Sequence, residues 1–324
     1  MRSQILGTGA YVPDRVLTNG DLERMVATSD TWIIERTGIR ERRIVAPGQA
    51  CSDLATEAAQ QALKHAGVSA SDLGLILIAT CTGDAPLPST ACEVQERLGA
   101  GQAAACDINA ACCGFLYALA IADAYIKTGF QNILVVGSEV MSVITDWTDR
   151  STCILFGDGA GAAVIGSSAN ENGILSLHLH ADGNFSDLIS VPGGGSSCPP
   201  SEKTLAERLQ FIKMKGNETF KIAVKTMEEA IREALSANNL TIEDVDVFVP
   251  HQANIRILKA VSQRLGLPFS KTVINIDRLG NTSAASIPLA LDEAVKAGRI
   301  QRGHIVLFAA FGAGLTWASG VMRW

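Results

Sequence analysis

A chain of 324 residues, 47% hydrophobic and 19% charged, has ample material for one large or two smaller cores. Its net charge of −6 argues against nucleic acid as the main partner, because phosphate binding wants a basic surface. No apolar run reaches the roughly 18 residues of a membrane span, and the N-terminal stretch lacks the continuous apolar core of a signal peptide, so a soluble cytoplasmic protein with no membrane partner is expected.

Taken in chain order, helical and strand patterns alternate. "ATEAAQQALKHAG" (residues 55–67) reads as an alanine-rich helix ending at glycine, and "LGLILIAT" (73–80) as a buried strand. "NILVVGSE" (132–139) is a second strand of that kind. "GDGAGAAVIG" (157–166) has G-x-G-x-G spacing, not the G-x-G-x-x-G of a dinucleotide loop, and reads as a turn. "PGGGSSCPPSEK" (192–203) reads as a surface loop. "VDVFVP" (245–250), "ALDEAVKAG" (290–298) and "HIVLFAAF" (304–311) repeat the strand, helix and strand patterns, making this an α/β chain.

The two halves echo each other. An offset of 172 sets Ala62 on Ala234 and Asp72 on Asp244, and one of 169 sets Gly129 on Gly298. Two copies of one α/β unit, residues 1–170 and 171–324, are expected to pack about a pseudo-twofold with a shared site between them.

Eight cysteines in a chain this long, with no C-x-x-C pair, fit neither a disulfide framework nor a zinc site. No metal is expected, and most of the cysteines should be small buried hydrophobes. Cys112 and Cys113, in "DINAACCGF", stand apart at a strand-to-helix junction, where unpaired N–H groups and the helix dipole favour a thiolate. The 169 offset carries Asn281, in "LGNTSAAS", onto Cys112, which singles it out over its neighbour. His251 follows the strand "VDVFVP" directly, where open α/β sheets carry functional groups. His178 and His180, in "LHLH", share one strand face and read as structural; His65 and His304 offer nothing specific.

In order and over essentially the whole chain, "DTWIIERTGIRERR", "AACCGF", "FGDGAGA", "HLHADG", "GNETFK", "VPHQANIR", "GNTSAAS" and "FGAGLTW" resemble the motifs of β-ketoacyl-acyl-carrier-protein synthase III. That family is the condensing enzyme that starts bacterial fatty acid synthesis. The resemblance implies a thiolase-like fold, an internally duplicated five-layered αβαβα arrangement, usually a homodimer. It puts the Cys-His-Asn triad on Cys112, His251 and Asn281. Cys112 would take the acyl group of an acyl-CoA, with the N–H groups of Cys112 and Ala313 as the oxyanion hole. His251 and Asn281 would hold the thioester carbonyl of malonyl-ACP as it loses carbon dioxide. No cofactor is implied, because the thioester itself activates the carbon.

By the same resemblance Trp32, Arg36, Arg150 and Asn217 match contacts to coenzyme A. The acidic acyl carrier protein is expected to dock on Arg256, Lys259 and Arg264, which lie in a run with no acidic residue from His251 to Lys271. Lys221, in a cluster with Lys213, Lys215 and Lys225, would add to that surface. Leu87 and Phe156 match acyl-pocket positions; where relatives carry a bulkier aromatic, Leu87 would reach into the partner subunit and leave a roomier pocket. Cys113 replaces a small residue that often follows the nucleophile and should be inert. A papain-like peptidase shares the Cys, His, Asn order but not "AACCGF". Degradative thiolases need a second catalytic cysteine near the C-terminus, and none occurs after Cys198. A related condensing enzyme of secondary metabolism would keep the same triad and differ in its pocket.

Overall fold

All four apolar runs form strands, and a computed structural model of the chain, which describes residues 2–169 and 171–324, shows how they assemble. The elements that frame the site begin with β1 (Arg2–Tyr11), α1 (Asp30–Thr37), α2 (Cys51–Ala66), β2 (Leu75–Ala79) and α3 (Thr90–Leu98). Next come β3 (Ala104–Ile108), α4 (Gly114–Lys127), β4 (Ile133–Val140) and β5 (Asp158–Ser168). Then follow β6 (Gly173–Ala181), α5 (Gly216–Ala237), β7 (Val247–Pro250) and α6 (Ile255–Leu265). The chain closes with α7 (Ser286–Lys296), β8 (Ile305–Gly312) and β9 (Thr316–Arg323).

The first sheet has the order β1-β5-β4-β2-β3, with β2 parallel to both neighbours and β5 antiparallel to both of its own. The second has the order β6-β9-β8-β7, with β7 and β8 parallel and the other pairs antiparallel. Strand for strand, β1, β5, β4 and β2 correspond to β6, β9, β8 and β7. The fifth place is reduced to one parallel bridge, Phe248 to Thr272, with Val273 N–H donating to the Phe248 carbonyl at 2.8 Å.

Three apolar cores separate five layers. Helix α2 lays Leu54, Ala58 and Ala62 on Ile76, Ile78 and Val136 of the first sheet. Helices α4 and α7 lie between the sheets, where Phe115, Leu119, Ile287 and Leu291 meet Leu77, Val135, Val249 and Phe308. Helix α5 covers the far face, with Met227 and Ile231 against Phe248 and Leu307. Each large aliphatic side chain buried this way contributes about 1.5–3 kcal/mol.

The structure corrects two expectations. "GDGAGAAVIG" is not a turn: it forms β5, buried through nearly its whole length. Its glycines serve close packing, since a Cβ on Gly161 would lie 2.6 Å from the backbone nitrogen of Leu289 in α7. Nor are most cysteines buried. Only Cys51, Cys113 and Cys153 are, while Cys106, on the edge strand β3, and Cys92 are exposed. "PGGGSSCPPSEK" is a largely exposed loop, as expected, and His178 and His180 hold a carboxylate of α5, Glu233, at 3.1 and 2.7 Å.

One buried charge ties the N-terminal segment to the site. Arg42 is fully buried and donates to the Leu17 carbonyl (3.2 Å), Asn19 Oδ1 (2.9 Å) and the Ile154 carbonyl (2.9 Å). Desolvation lowers its pKa to about 10, which leaves it charged at neutral pH. It thereby anchors the segment 154–157, whose Phe156 forms a parallel bridge with Asn281.

Candidate active site

The nucleophile candidate sits on a strained turn. Ala111 has φ of 46°, a left-handed value uncommon for a residue with a Cβ, and it introduces the short 3-10 turn that leads into α4. Asn109 Oδ1 accepts from Ala111 N–H at 3.2 Å and stabilises that turn. The same device opens α7: Ser283 has φ of 49°, and Asn281 Oδ1 accepts from Ser283 N–H at 2.9 Å. Structurally, therefore, Asn281 corresponds to Asn109 and Cys112 to Ala284, at the offset of 172. The 169 offset that paired Asn281 with Cys112 was taken from the glycines beyond the helices. It fails at the helix starts because α7 has 11 residues and α4 has 14. The two turns nonetheless meet at the centre, and Cys112, Asn281 and His251 line one cavity of about 900 Å³.

Donor and acceptor roles in this cavity follow from the hydrogen bonds. The side-chain oxygen of Asn281 is occupied by Ser283 N–H, so its amide NH₂ is the group free to donate into the cavity. His251 ends the run after β7, with its N–H on the Ala309 carbonyl at 2.8 Å. Its Nδ1 lies 2.6 Å from Ser286 Oγ, which accepts from Gln252 N–H at 3.3 Å. With the Ser286 hydroxyl hydrogen directed to Nδ1, the ring proton sits on Nε2, and in that tautomer His251 joins Asn281 as a donor.

The loop after β8 completes the pocket floor. Gly312 packs so tightly on the nucleophile that an added Cβ would lie 2.9 Å from Cys112 N. Thr316 Oγ1 donates within the same corner, to the carbonyls of Ala110 (3.0 Å) and Ala313 (3.1 Å), and Ala313 lines the cavity beside Cys112. Burial pushes the Cys112 thiol up to about 11, with the Ser283 hydroxyl working in the opposite direction. Cys113, the N-cap of α4, is fully buried and donates its S–H to the Thr316 carbonyl at 3.3 Å.

Comparison with known proteins decides the family. Models of 3-oxoacyl-[acyl-carrier-protein] synthase III match residues 106–183 and, for its C-terminal part, residues 235–324. A beta-ketoacyl-[acyl-carrier-protein] synthase III of Caldanaerobacter subterraneus subsp. tengcongensis is 54% identical over 99% of this chain and 97% of its own. The chain belongs to the 3-oxoacyl-[acyl-carrier-protein] synthase III family. It superposes on the crystal structure of the Aquifex aeolicus synthase III with a TM-score of 0.93, at 47% identity over 99% of this chain and 100% of that one. The priming beta-ketosynthase of the R1128 polyketide pathway has a TM-score of 0.92, at 35% identity over 99% and 96% of the two chains. The fold is thus the thiolase-like fold of this family of acyltransferases.

With the synthase III family in hand, the remaining candidate positions can be located. Trp32, Arg36 and Asn217 line the cavity, and Arg36 and Asn217 are exposed, marking its mouth. Arg150 lies over the Trp32 ring at 4.7 Å and Arg36 over the same ring at 5.7 Å, so one aromatic ring engages two cations. Lys221 and Arg256 line the same mouth, and Arg256 stacks on Phe220 at 5.4 Å. Lys259 is exposed one turn further along α6. Arg264 differs: it is away from the cavity and ion-paired with Glu228, which also holds Arg232. Lys213, Lys215 and Lys225 are paired with Asp146, Asp187 and Glu229, whereas Lys221 has no ion-pair partner among the described residues. Phe156 lines the apolar end with Met141, Ile144, Ile154 and Ile212. Leu87 does not line its own chain's cavity and is 85% exposed.

Ser286, Ser283 and Asn254 were not singled out in the sequence. Asn254 caps α6 through Arg256 N–H (2.9 Å) and donates to the Arg36 carbonyl (3.1 Å), joining the two walls of the mouth. Each lies within five residues of a singled-out residue, yet only the folded backbone shows which polar neighbour is turned inward.

Burial lowers the His251 pKa from 6.5 to about 3, so the folded protein keeps the ring neutral where the unfolded chain protonates it. The resulting stability is present above pH 6.5 and is lost as pH falls toward 3, at up to about 1.4 kcal/mol per pH unit. Urea unfolding followed from pH 7 to pH 4.5 is expected to show a steeper fall for the wild type than for His251→Asn; parallel curves would mean the ring is not buried neutral.

Proposed function

We propose that this protein transfers the acyl group of an acyl-CoA primer to Cys112 and then condenses it with malonyl-ACP, giving 3-oxoacyl-ACP, carbon dioxide and free coenzyme A, the opening step of fatty acid synthesis. The observation that carries this reading is the convergence of Cys112, His251 and Asn281 in one cavity whose mouth is walled by Trp32, Arg36 and Asn217. In the first step Cys112 sulfur attacks the thioester carbonyl, the Cys112 and Ala313 N–H groups receive the oxyanion, and the bond to the coenzyme A sulfur breaks. In the second, the malonyl thioester carbonyl accepts hydrogen bonds from His251 Nε2 and the Asn281 amide. Loss of carbon dioxide leaves an enolate held by those two donors, and its carbon attacks the acyl-cysteine to expel the Cys112 thiolate.

Acyl carrier protein is expected to dock on Arg256 and Lys221 at the mouth and Lys259 beside it, three cations with no acidic partner among the described residues. Charge reversal by Arg256→Glu is expected to raise KM for malonyl-ACP roughly tenfold with kcat little changed. The effect should fade at high salt, and Arg264→Glu should have little effect of either kind. Equal losses in the two variants would remove Arg256 from the docking surface.

We further propose a homodimer in which Leu87, exposed on its own chain, closes the acyl pocket of the partner subunit. With leucine there, branched and longer acyl-CoA primers are expected to turn over within about tenfold of acetyl-CoA. The test of the whole reading is malonyl-ACP-dependent 3-oxoacyl-ACP formation across a primer panel. No product with any primer would sink the function, and acetyl-CoA exceeding all others by orders of magnitude would sink the Leu87 assignment alone. A secondary-metabolic role would use the same chemistry, and a primer outside the fatty acid precursors would point to it.

A further inference from the structure

One buried carboxylate takes no part in the steps above. Glu139, near the end of β4, is fully buried, and each of its hydrogen-bond partners among the described residues is a donor. Oε2 accepts from Thr82 Oγ1, Cys81 N–H (3.1 Å) and Thr80 Oγ1 (3.2 Å). Oε1 accepts from Ser283 Oγ (2.9 Å) and Cys81 Sγ (3.3 Å). The two threonine hydroxyls already accept hydrogens, Thr82 Oγ1 from Val140 N–H (2.8 Å) and Thr80 Oγ1 from Thr82 N–H (3.0 Å), which leaves their own for Glu139. Such a ring of donors uses both oxygens of a carboxylate, where an amide would offer one. The fold itself does not call for a carboxylate at this place. At the offset of 172 the duplicated half has Phe311 of β8 there, and β8 packs on the turn 111–113 as β4 packs on the turn 283–285.

Ser283 is where this network reaches the cavity. Its left-handed φ of 49° is unfavourable for a residue with a Cβ and persists only where the surroundings hold it. The corresponding residue of the other turn, Ala111, has no hydroxyl, whereas Ser283 is anchored through its own to Glu139 Oε1. The Ser283 N–H in turn donates to Asn281 Oδ1 at 2.9 Å. The Asn281 main chain is fixed separately, its N–H on the Leu155 carbonyl (2.8 Å) and its carbonyl accepting from Gly157 N–H (3.1 Å). What Ser283 settles is therefore which end of the Asn281 side-chain amide faces the cavity. Turned over, that amide would present its oxygen to the malonyl thioester oxygen, and a stabilising donor would become a repelling dipole. Building on the condensation reading above, we infer that Glu139 is a positioning residue for condensation, holding the Asn281 amide in its donating orientation through Ser283. His251 is set by Ser286 instead, and acylation of Cys112 uses neither donor.

The test separates the two half-reactions in Ser283→Ala and Glu139→Gln. Ser283→Ala introduces the residue type that the corresponding turn already carries at Ala111, so the turn should still form. Coenzyme A release on mixing with acyl-CoA alone reports acylation, and single-turnover condensation of enzyme already acylated by long incubation reports the second step. Condensation is expected to fall roughly tenfold in either variant, with acylation within about threefold of wild type. In an Asn281→Ala background neither substitution should lower condensation further, because both act through that amide. Losses that multiply in that background, equal losses in the two half-reactions, or unchanged condensation in Ser283→Ala would overturn the inference. The last of these, with altered primer preference in Glu139→Gln, would assign the carboxylate instead to residues 80–82 at the base of the Leu87 loop. A Glu139→Gln chain that fails to fold leaves Ser283→Ala to decide by the same measurements. If the wild type itself is not acylated, or its acyl group is not discharged by malonyl-ACP, it is the proposed function that fails.

Discussion

Replacing Cys112 by alanine is expected to abolish acyl-enzyme formation and to cut 3-oxoacyl-ACP production by roughly 10⁴-fold or more, as loss of a nucleophile does elsewhere. Cys113, one residue away, cannot take over. It caps α4 with its side chain turned inward, bonded to the Thr316 carbonyl, and burial pushes its thiol pKa upward. Cys112 also lies in low-dielectric surroundings that hold it as a thiol at neutral pH. What distinguishes it is access to the cavity and the oxyanion corner at Ala313, not an intrinsically low pKa. Steady-state turnover and single-turnover coenzyme A release check the variant; appreciable acylation on Cys113 would reverse the assignment.

His251→Ala and Asn281→Ala should behave differently from Cys112→Ala. Each is expected to keep acylation and to lose roughly 10²- to 10³-fold in condensation, the usual effect of removing one preorganised donor from a developing anion. Because both donors would serve one carbonyl oxygen, the double variant should lose less than the product of the two. Ser286→Ala should fall between wild type and His251→Ala, since it frees Nδ1 and with it the alternative tautomer. Malonyl-ACP decarboxylation, measured as carbon dioxide release, separates these cases. If acylation fell with condensation in all three variants, His251 would be acting on the first step as well.

Much of the architecture was legible because it rests on local regularities. The four apolar runs became strands, the alanine-rich segments became helices, and Gly67 stops α2 in the left-handed conformation. Repetition of helix-loop-strand units pointed to duplicated halves, and the matching sheet orders display the same repetition. The register of the repeat was misread because three residues missing from α7 are made good in the loop beyond it, so β4 and β8 return to the offset of 172. "GDGAGAAVIG" was misread because glycine and alanine mark turns when a chain is read locally, whereas here they let α7 approach β5. Cys112, His251 and Asn281 could be singled out from junction positions, but Ser286 and Glu139 could not. Their importance lies in which way a buried polar group points, and a Glu within a buried strand shows only that something must satisfy it. Arg264 stood out as a cation, but its pairing with Glu228, 36 residues earlier, could be seen only in the folded chain.

The most direct test of the central claim is the intact mass of the protein after incubation with acyl-CoA, followed by peptide mapping of the adduct. The expected result is one acyl group per chain, mapped to Cys112, released when malonyl-ACP is added and recovered in 3-oxoacyl-ACP. An unmodified mass with every primer, or an adduct on Cys113 or Cys81 that malonyl-ACP discharges, would contradict the account.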